Sequence, residues 1–106
     1  MDELFTIEYY ETDTRKCPYL EWEDELTMEL RAQIRKRLNR VRLGNCGDID
    51  HIEGSIFELR IHAGAGYRIY YAKKGSKIVI LLCAGSKRSQ DRDIAKAKKY
   101  WQDLGG

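Results

Sequence analysis

Arg60, His62, Arg68 and Tyr70 fall at alternate positions on either side of the connector Ala63-Gly64-Ala65-Gly66. Side chains of a strand alternate between two faces. A hairpin paired across this connector in even register therefore gathers these side chains on one face, and an odd change in register would scatter them. Lys87 and Arg88 follow an apolar run, Ile78 to Ala84, that reads as the next strand and delivers them from its C-terminal loop. Arginine grips phosphate through parallel N–H donors. A histidine or tyrosine can stack on a base or move a proton. The chemistry this combination suits is that of a phosphodiester. The same residues also fit a solvated strand face, and His62 alone fits a surface histidine.

Other chemistries find little support. There is no G-x-S-x-G, Walker loop or H-E-x-x-H. The glycines of His62-Ala63-Gly64-Ala65-Gly66 precede a strand and not a helix, so they read as a turn and not as a phosphate loop. Cys17, Cys46 and Cys83 are widely spaced, and His51 and His62 are the sole histidines, so neither a zinc site nor a disulfide framework is expected. No cofactor is expected either.

The 106 residues suffice for one domain, read here as 1–106. Charged residues make up 34% of the chain, and the net charge is +2. That balance hides an asymmetry: residues 1–30 carry ten acids and two bases, whereas residues 31–106 carry seven acids and seventeen bases. Such segregation points to a polyanionic partner more than the total does. No stretch approaches the roughly 18 apolar residues that span a bilayer. The acidic, alternating start MDELFTIEYY does not resemble a secretory leader. A cytoplasmic protein without a membrane partner is expected.

The elements that must position the basic group follow from periodicity. Phe5, Ile7 and Tyr9 alternate with polar residues over Leu4 to Glu11, which predicts a strand. Pro18 opens a short helix running to about Glu25, with Tyr19, Trp22 and Leu26 on one face. Thr27 caps a second helix in which Leu30, Ile34, Leu38 and Val41 form an apolar stripe, and Gly44 ends it. Its basic residues, Arg31 to Arg42, can face solvent, pair with the acidic run Glu21 to Glu25, or contact phosphate. Strands are predicted over Asp48 to Glu53, Ser55 to His62, Tyr67 to Lys73 and Lys77 to Ala84, the last a central one. Gly85 to Arg88 reads as a basic loop. Ser89 caps a final helix with Ile94, Ala97, Trp101 and Leu104 inward. The order gives an α+β fold.

Three segments carry a family likeness: L-R-I-H-x-G-x-G-Y-R-I-Y-Y, the strand I-V-I-L-L-C, and G-S-K-R-S-Q-x-x-D-I-x-x-A. With L-x-x-L-G-N-x-G-D closing the helical pair, the chain resembles the RelE/ParE superfamily of bacterial toxins over nearly its whole length. It is most similar to the phage-derived, HigB-like branch of addiction-module killer proteins. The resemblance implies a small, mainly antiparallel sheet packed against an N-terminal helical hairpin, with a C-terminal helix. It implies the toxin of a type II toxin–antitoxin system: a metal-free, ribosome-dependent endoribonuclease that cleaves mRNA and inhibits translation. The implied partners are a cognate helix-turn-helix antitoxin, mRNA and the ribosome.

By the same resemblance Arg68 is the phosphate-stabilising arginine of the G-Y-R motif. Arg60 matches a basic residue of the preceding strand, and Lys87 or Arg88 the basic residue after the central strand. A tyrosine that some members carry at the start of the last helix falls near Asp93 here, which leaves the general base open among His62, Tyr70 and Asp93. Arg60, Arg68 and Lys87 would stabilise the transition-state phosphate. Truncating Arg68, on the face opposite Ile69, is expected to remove charge without opening the core; the structural alternative is that Arg68 only pairs with Glu58 across the hairpin, worth at most about 1 kcal/mol at the surface. Two rival activities remain: a ParE-like inhibitor of DNA gyrase, and a non-catalytic partner of a helix-turn-helix protein.

Overall fold

A computed structural model describes residues 4–106. The acidic start noted above includes Met1–Glu3, which lie outside the described residues. The strands are β1 (Thr6–Tyr9), β2 (Ile49–Glu53), β3 (Ile56–Ile61), β4 (Tyr67–Lys74) and β5 (Ile78–Ser86), and the helices α1 (Pro18–Asp24), α2 (Met28–Arg42) and α3 (Gln90–Asp103). All five strands form one sheet in the order β1-β5-β4-β3-β2. Three pairings are antiparallel, and β1 joins β5 in parallel. The sheet is thus mixed, and the fold is α+β with an N-terminal helical pair and a C-terminal helix.

The apolar run of β5 has neighbours on both edges and lies beneath helices on both faces, which is why it lacks alternation. On one face Tyr19 of α1 and Ile34, Leu38 and Val41 of α2 pack on Leu59, Ile69, Tyr71 and Leu81. On the other, Ala97 of α3, with Ile94 and Trp101, packs on Ile56, Tyr70, Ile80 and Leu82. Each fully buried aliphatic side chain contributes about 1.5–3 kcal/mol.

Local signals behave as their chemistry requires. Thr27 Oγ1 accepts the Leu30 amide and caps α2. The amides of Gly44 and Asn45 close its end by donating to the carbonyls of Val41 and Arg40. The acidic run engages part of the basic helix: Arg35 meets the buried Glu23 carboxylate at 2.7 Å, and Arg31 donates to the carbonyls of Glu23, Asp24 and Leu26.

Four expectations are corrected. β1 is only Thr6–Tyr9; the next residue, Tyr10, is buried on the α3 side, stacked on Tyr100 at a centroid distance of 4.6 Å. Gly85 and Ser86 are not loop but the end of β5, because they still pair with Arg68 and Tyr67; Lys87–Ser89 then make a single 3₁₀ turn. Ser89 does not cap α3, since its hydroxyl donates to Asp93 and to the Ser86 carbonyl. Leu104 lies beyond the last turn and is exposed; Tyr100 packs in its place.

Candidate functional site

The β3–β4 hairpin keeps even register, so Arg60 stands directly opposite Arg68 and Glu58 opposite Tyr70. Two like charges face to face repel. The sequence resolves this with Glu58, two residues before Arg60 and hence on the same face. Its Oε2 accepts from Arg60 Nε at 3.2 Å and from Arg68 Nη1 at 3.1 Å. Its Oε1 accepts from the Tyr70 hydroxyl at 3.3 Å and from Gln90 Nε2 at 3.0 Å. Glu58 is fully buried, and a buried charge persists only when its oxygens are occupied in this way.

Asp48 enters from the start of β2. Its carbonyl accepts the Arg60 amide at 3.0 Å, which places its side chain beside the end of β3. His62 Nε2–H donates to Asp48 Oδ2 at 2.6 Å. That hydrogen bond, with nearby Arg60, holds the Asp48 carboxyl below its ordinary range, so it stays an acceptor at neutral pH. Arg60 also meets Asp48 at 3.6 Å and Asp50 at 3.1 Å. Lys87 is fixed by its own amide, which donates to the Gly66 carbonyl at 3.1 Å and joins the 3₁₀ turn to the hairpin connector.

Arg60, His62, Arg68 and Lys87 thereby line one open cleft of about 390 Å³, floored by the Ala63–Gly66 connector. The remaining candidates lie elsewhere. Tyr70 is wholly buried under α3, and desolvation with the adjacent Glu58 pushes its hydroxyl well above the ordinary tyrosine range. Asp93 is buried at the start of α3, where its carboxylate accepts from Ser89. Arg88 is not among the residues that line the cleft. Arg68 is also less free than its strand position suggested: its side chain is 15% exposed and bound to Glu58, so truncation would disturb the interior.

The pairing of Arg68 with Glu58 is legible in the sequence, since both stand on one face of the predicted hairpin. Two other contributors, Gln90 and Asp48, escaped it, because their contacts span 32 and 14 residues of chain. Among the described residues, no group of three or more His, Cys, Asp or Glu side chains is placed to hold a metal ion, and no helix is long and apolar enough to cross a membrane.

Residues 21–102 match the family described as phage-derived protein Gp49-like (DUF891). The matched span holds every residue that lines the cleft. A relative from Haemophilus influenzae strain Rd, described as an uncharacterized protein, is 46% identical over 78 residues, covering 74% of this chain and 79% of the relative.

Proposed function

The chain belongs to the phage-derived Gp49-like family, and we propose that this protein is a cytoplasmic toxin of the RelE/ParE type, an endoribonuclease that cleaves mRNA at the ribosome and stops translation. One observation carries the reading: Arg60, Arg68, Lys87 and an aspartate-held His62 converge on a single open cleft.

Each residue has a defined part. His62 uses Nε2–H on Asp48, which leaves Nδ1 as the basic nitrogen. That nitrogen takes the proton of a ribose 2′-hydroxyl as the oxygen attacks the adjacent phosphorus. The O2′–P bond forms and the P–O5′ bond breaks, giving a cyclic phosphate, while the departing 5′-oxygen takes a proton from solvent in the open cleft. Arg68 donates one of its five N–H groups to Glu58 and keeps others for the phosphate oxygens. Because Glu58 already fixes its orientation, little reorganisation is needed in the transition state. Lys87 adds a point charge from the 3₁₀ turn. Positioning of mRNA by the ribosome supplies the alignment that so open a cleft lacks.

The proposed partner besides mRNA is a helix-turn-helix antitoxin with an acidic segment that covers this face, drawn by the basic surplus of residues 31–106. The test is expression of the chain alone in bacteria, with mapping of transcript 5′ ends. Growth arrest with translation-dependent cuts is expected. Intact transcripts with double-strand DNA breaks would assign gyrase inhibition instead, and neither effect would leave a binding role.

A further inference from the structure

The cations of the cleft are largely spoken for. Arg60 contacts Glu58, Asp50 and Asp48; Arg68 contacts Glu58; His62 contacts Asp48. Among the described residues Lys87 alone of that set has no carboxylate within salt-bridge distance. A polyanion needs more unneutralised charge than this, and the structure places it next door. A second cleft of about 420 Å³ shares the segment Arg60 to Ala63 with the first and continues onto α2, where Lys36, Arg37 and Arg40 line it; its one carboxylate, Asp48, is already engaged by His62 and Arg60. None of the three α2 cations makes a salt bridge or side-chain hydrogen bond with another described residue, although Arg31 and Arg35 of the same helix both have partners.

Arg37 is the most informative of them. Its Nη2 is buried and has no hydrogen-bond partner among the described residues. The side chain is half-buried, and desolvation lowers the affinity of the guanidinium for its proton. Gly47 holds it in place: with a φ of +66° and no side chain, it lets the guanidinium lie on the backbone, where a Cβ would stand 2.5 Å from Nη2. A partly desolvated arginine with a donor left unpaired, and with only the more distant charge of Asp48 to offset its own, is costly to the folded chain. It becomes favourable when an anion enters and takes its remaining donors.

We infer that this second cleft is a phosphate subsite, in which Arg37, flanked by Lys36 and Arg40, holds a phosphate of the same RNA strand neighbouring the one that reacts. The inference rests on the RNA-cleaving reading for the identity of the strand. The two clefts meet at Arg60 and His62, so a backbone crossing the first reaches α2 without leaving protein surface. Arg60 and Arg68 then serve chiefly to orient the reacting phosphate, and α2 supplies the attraction.

The experiment measures binding of a 2′-O-methyl oligoribonucleotide, which cannot undergo the transfer, by fluorescence anisotropy between 50 and 200 mM salt. Arg37→Gln should bind about tenfold more weakly at the low-salt end. Its slope of log affinity against log salt should fall by roughly 0.7, one phosphate contact. Lys36→Gln, at an exposed position and so harmless to folding, should lower the slope likewise, and Arg37→Lys should restore part of the loss. Lys99→Gln, exposed on α3, should change nothing beyond its share of net charge. Unchanged affinity and slope for both Arg37→Gln and Lys36→Gln would overturn the subsite while leaving the cleavage reading intact. Failure of the unmodified protein to bind the RNA would overturn the subsite; transcript mapping in cells then decides the cleavage reading separately.

Discussion

Glu58 Oε2 lies 3.1 Å from Arg68 Nη1, and the carboxylate has no exposed surface while the arginine side chain keeps 15%. The pair therefore works in two directions. Glu58 aims Arg68 into the cleft, and Arg68 helps to make the burial of Glu58 tolerable. Removing one partner of a buried ion pair costs far more than the pair contributes.

Arg68→Ala should accordingly lose stability as well as activity. Breaking a buried pair costs about 3–5 kcal/mol. Glu58 would keep Arg60, Tyr70 and Gln90, so the lower end of that range is expected. For a chain of this size that is a fall in Tm of roughly 12 °C or more. Arg68→Lys keeps the charge beside Glu58 but loses the planar fork. It should fold and still lose about 10²-fold or more in cleavage rate. Calorimetry of both variants, alongside cleavage assays, checks this. A fully stable Arg68→Ala protein would mean that Glu58 does not depend on Arg68.

The Asp48–His62 contact separates orientation from bulk charge. His62→Ala should lose about 10²–10⁴-fold in cleavage, the usual contribution of a general base. Asp48→Ala frees the ring and should lose most of the same factor. Asp48→Asn can still accept from Nε2–H through its amide oxygen and should lose less. Both residues are open to solvent, so thermal midpoints should stay at the unmodified value. An Asp48→Ala protein that cleaves normally would remove Asp48 from the mechanism.

Gly85→Ala tests how the basic turn is seated. Gly85 pairs with Arg68, and a Cβ there would overlap the Asp93 carboxylate and crowd Ser89 Oγ. Neither can retreat easily, since Asp93 is buried and bonded to Ser89. Overpacking of this kind costs about 1–3 kcal/mol. Displacement of the α3 start would also shift Gln90 from Glu58 and so loosen Arg68. Loss of both stability and RNA cleavage is expected, measured by urea denaturation and the transcript assay.

How much of this was legible in the chain depends on the range of the interaction. The α2 stripe and the shared face of Arg60 and Arg68 follow from local periods of 3.6 and 2, and both are present in the structure. Alternation tells which residues share a face but not what covers it. That is why Tyr70 reads as an accessible base in the sequence and lies under α3 in the fold. The Gly-Tyr-Arg segment marks Arg68 and the shared hairpin face offers Glu58 as its partner, yet Gln90, which also bonds that carboxylate, comes from a different element. The parallel pairing of β1 with β5 is likewise set by packing between distant segments, for which no local pattern exists.

Buried proton donors give the last prediction, an alkaline limit to stability. Burial, with the charge of Asp93 adding to it, pushes the Cys83 thiol from 9.0 up to about 12. Burial likewise pushes the Tyr71 hydroxyl from 10.0 up to about 12. In the folded chain both stay neutral where the unfolded chain has already ionised. A raised folded value means that the stabilisation is fully present below pH 9 for Cys83 and below pH 10 for Tyr71, and is lost as pH rises toward 12. Once the unfolded thiol is ionised, Cys83 alone removes about 1.4 kcal/mol per pH unit. Urea midpoints should therefore fall from about pH 9 upward and more steeply above pH 10. Tyr71→Phe isolates one component. Its hydroxyl is buried and has no hydrogen-bond partner among the described residues, so deleting it should leave stability at pH 7 unchanged or raised. The same variant should show a shallower decline above pH 10. A Tyr71→Phe protein that is markedly less stable at pH 7, with an unaltered alkaline slope, would show that the hydroxyl is partnered in solution.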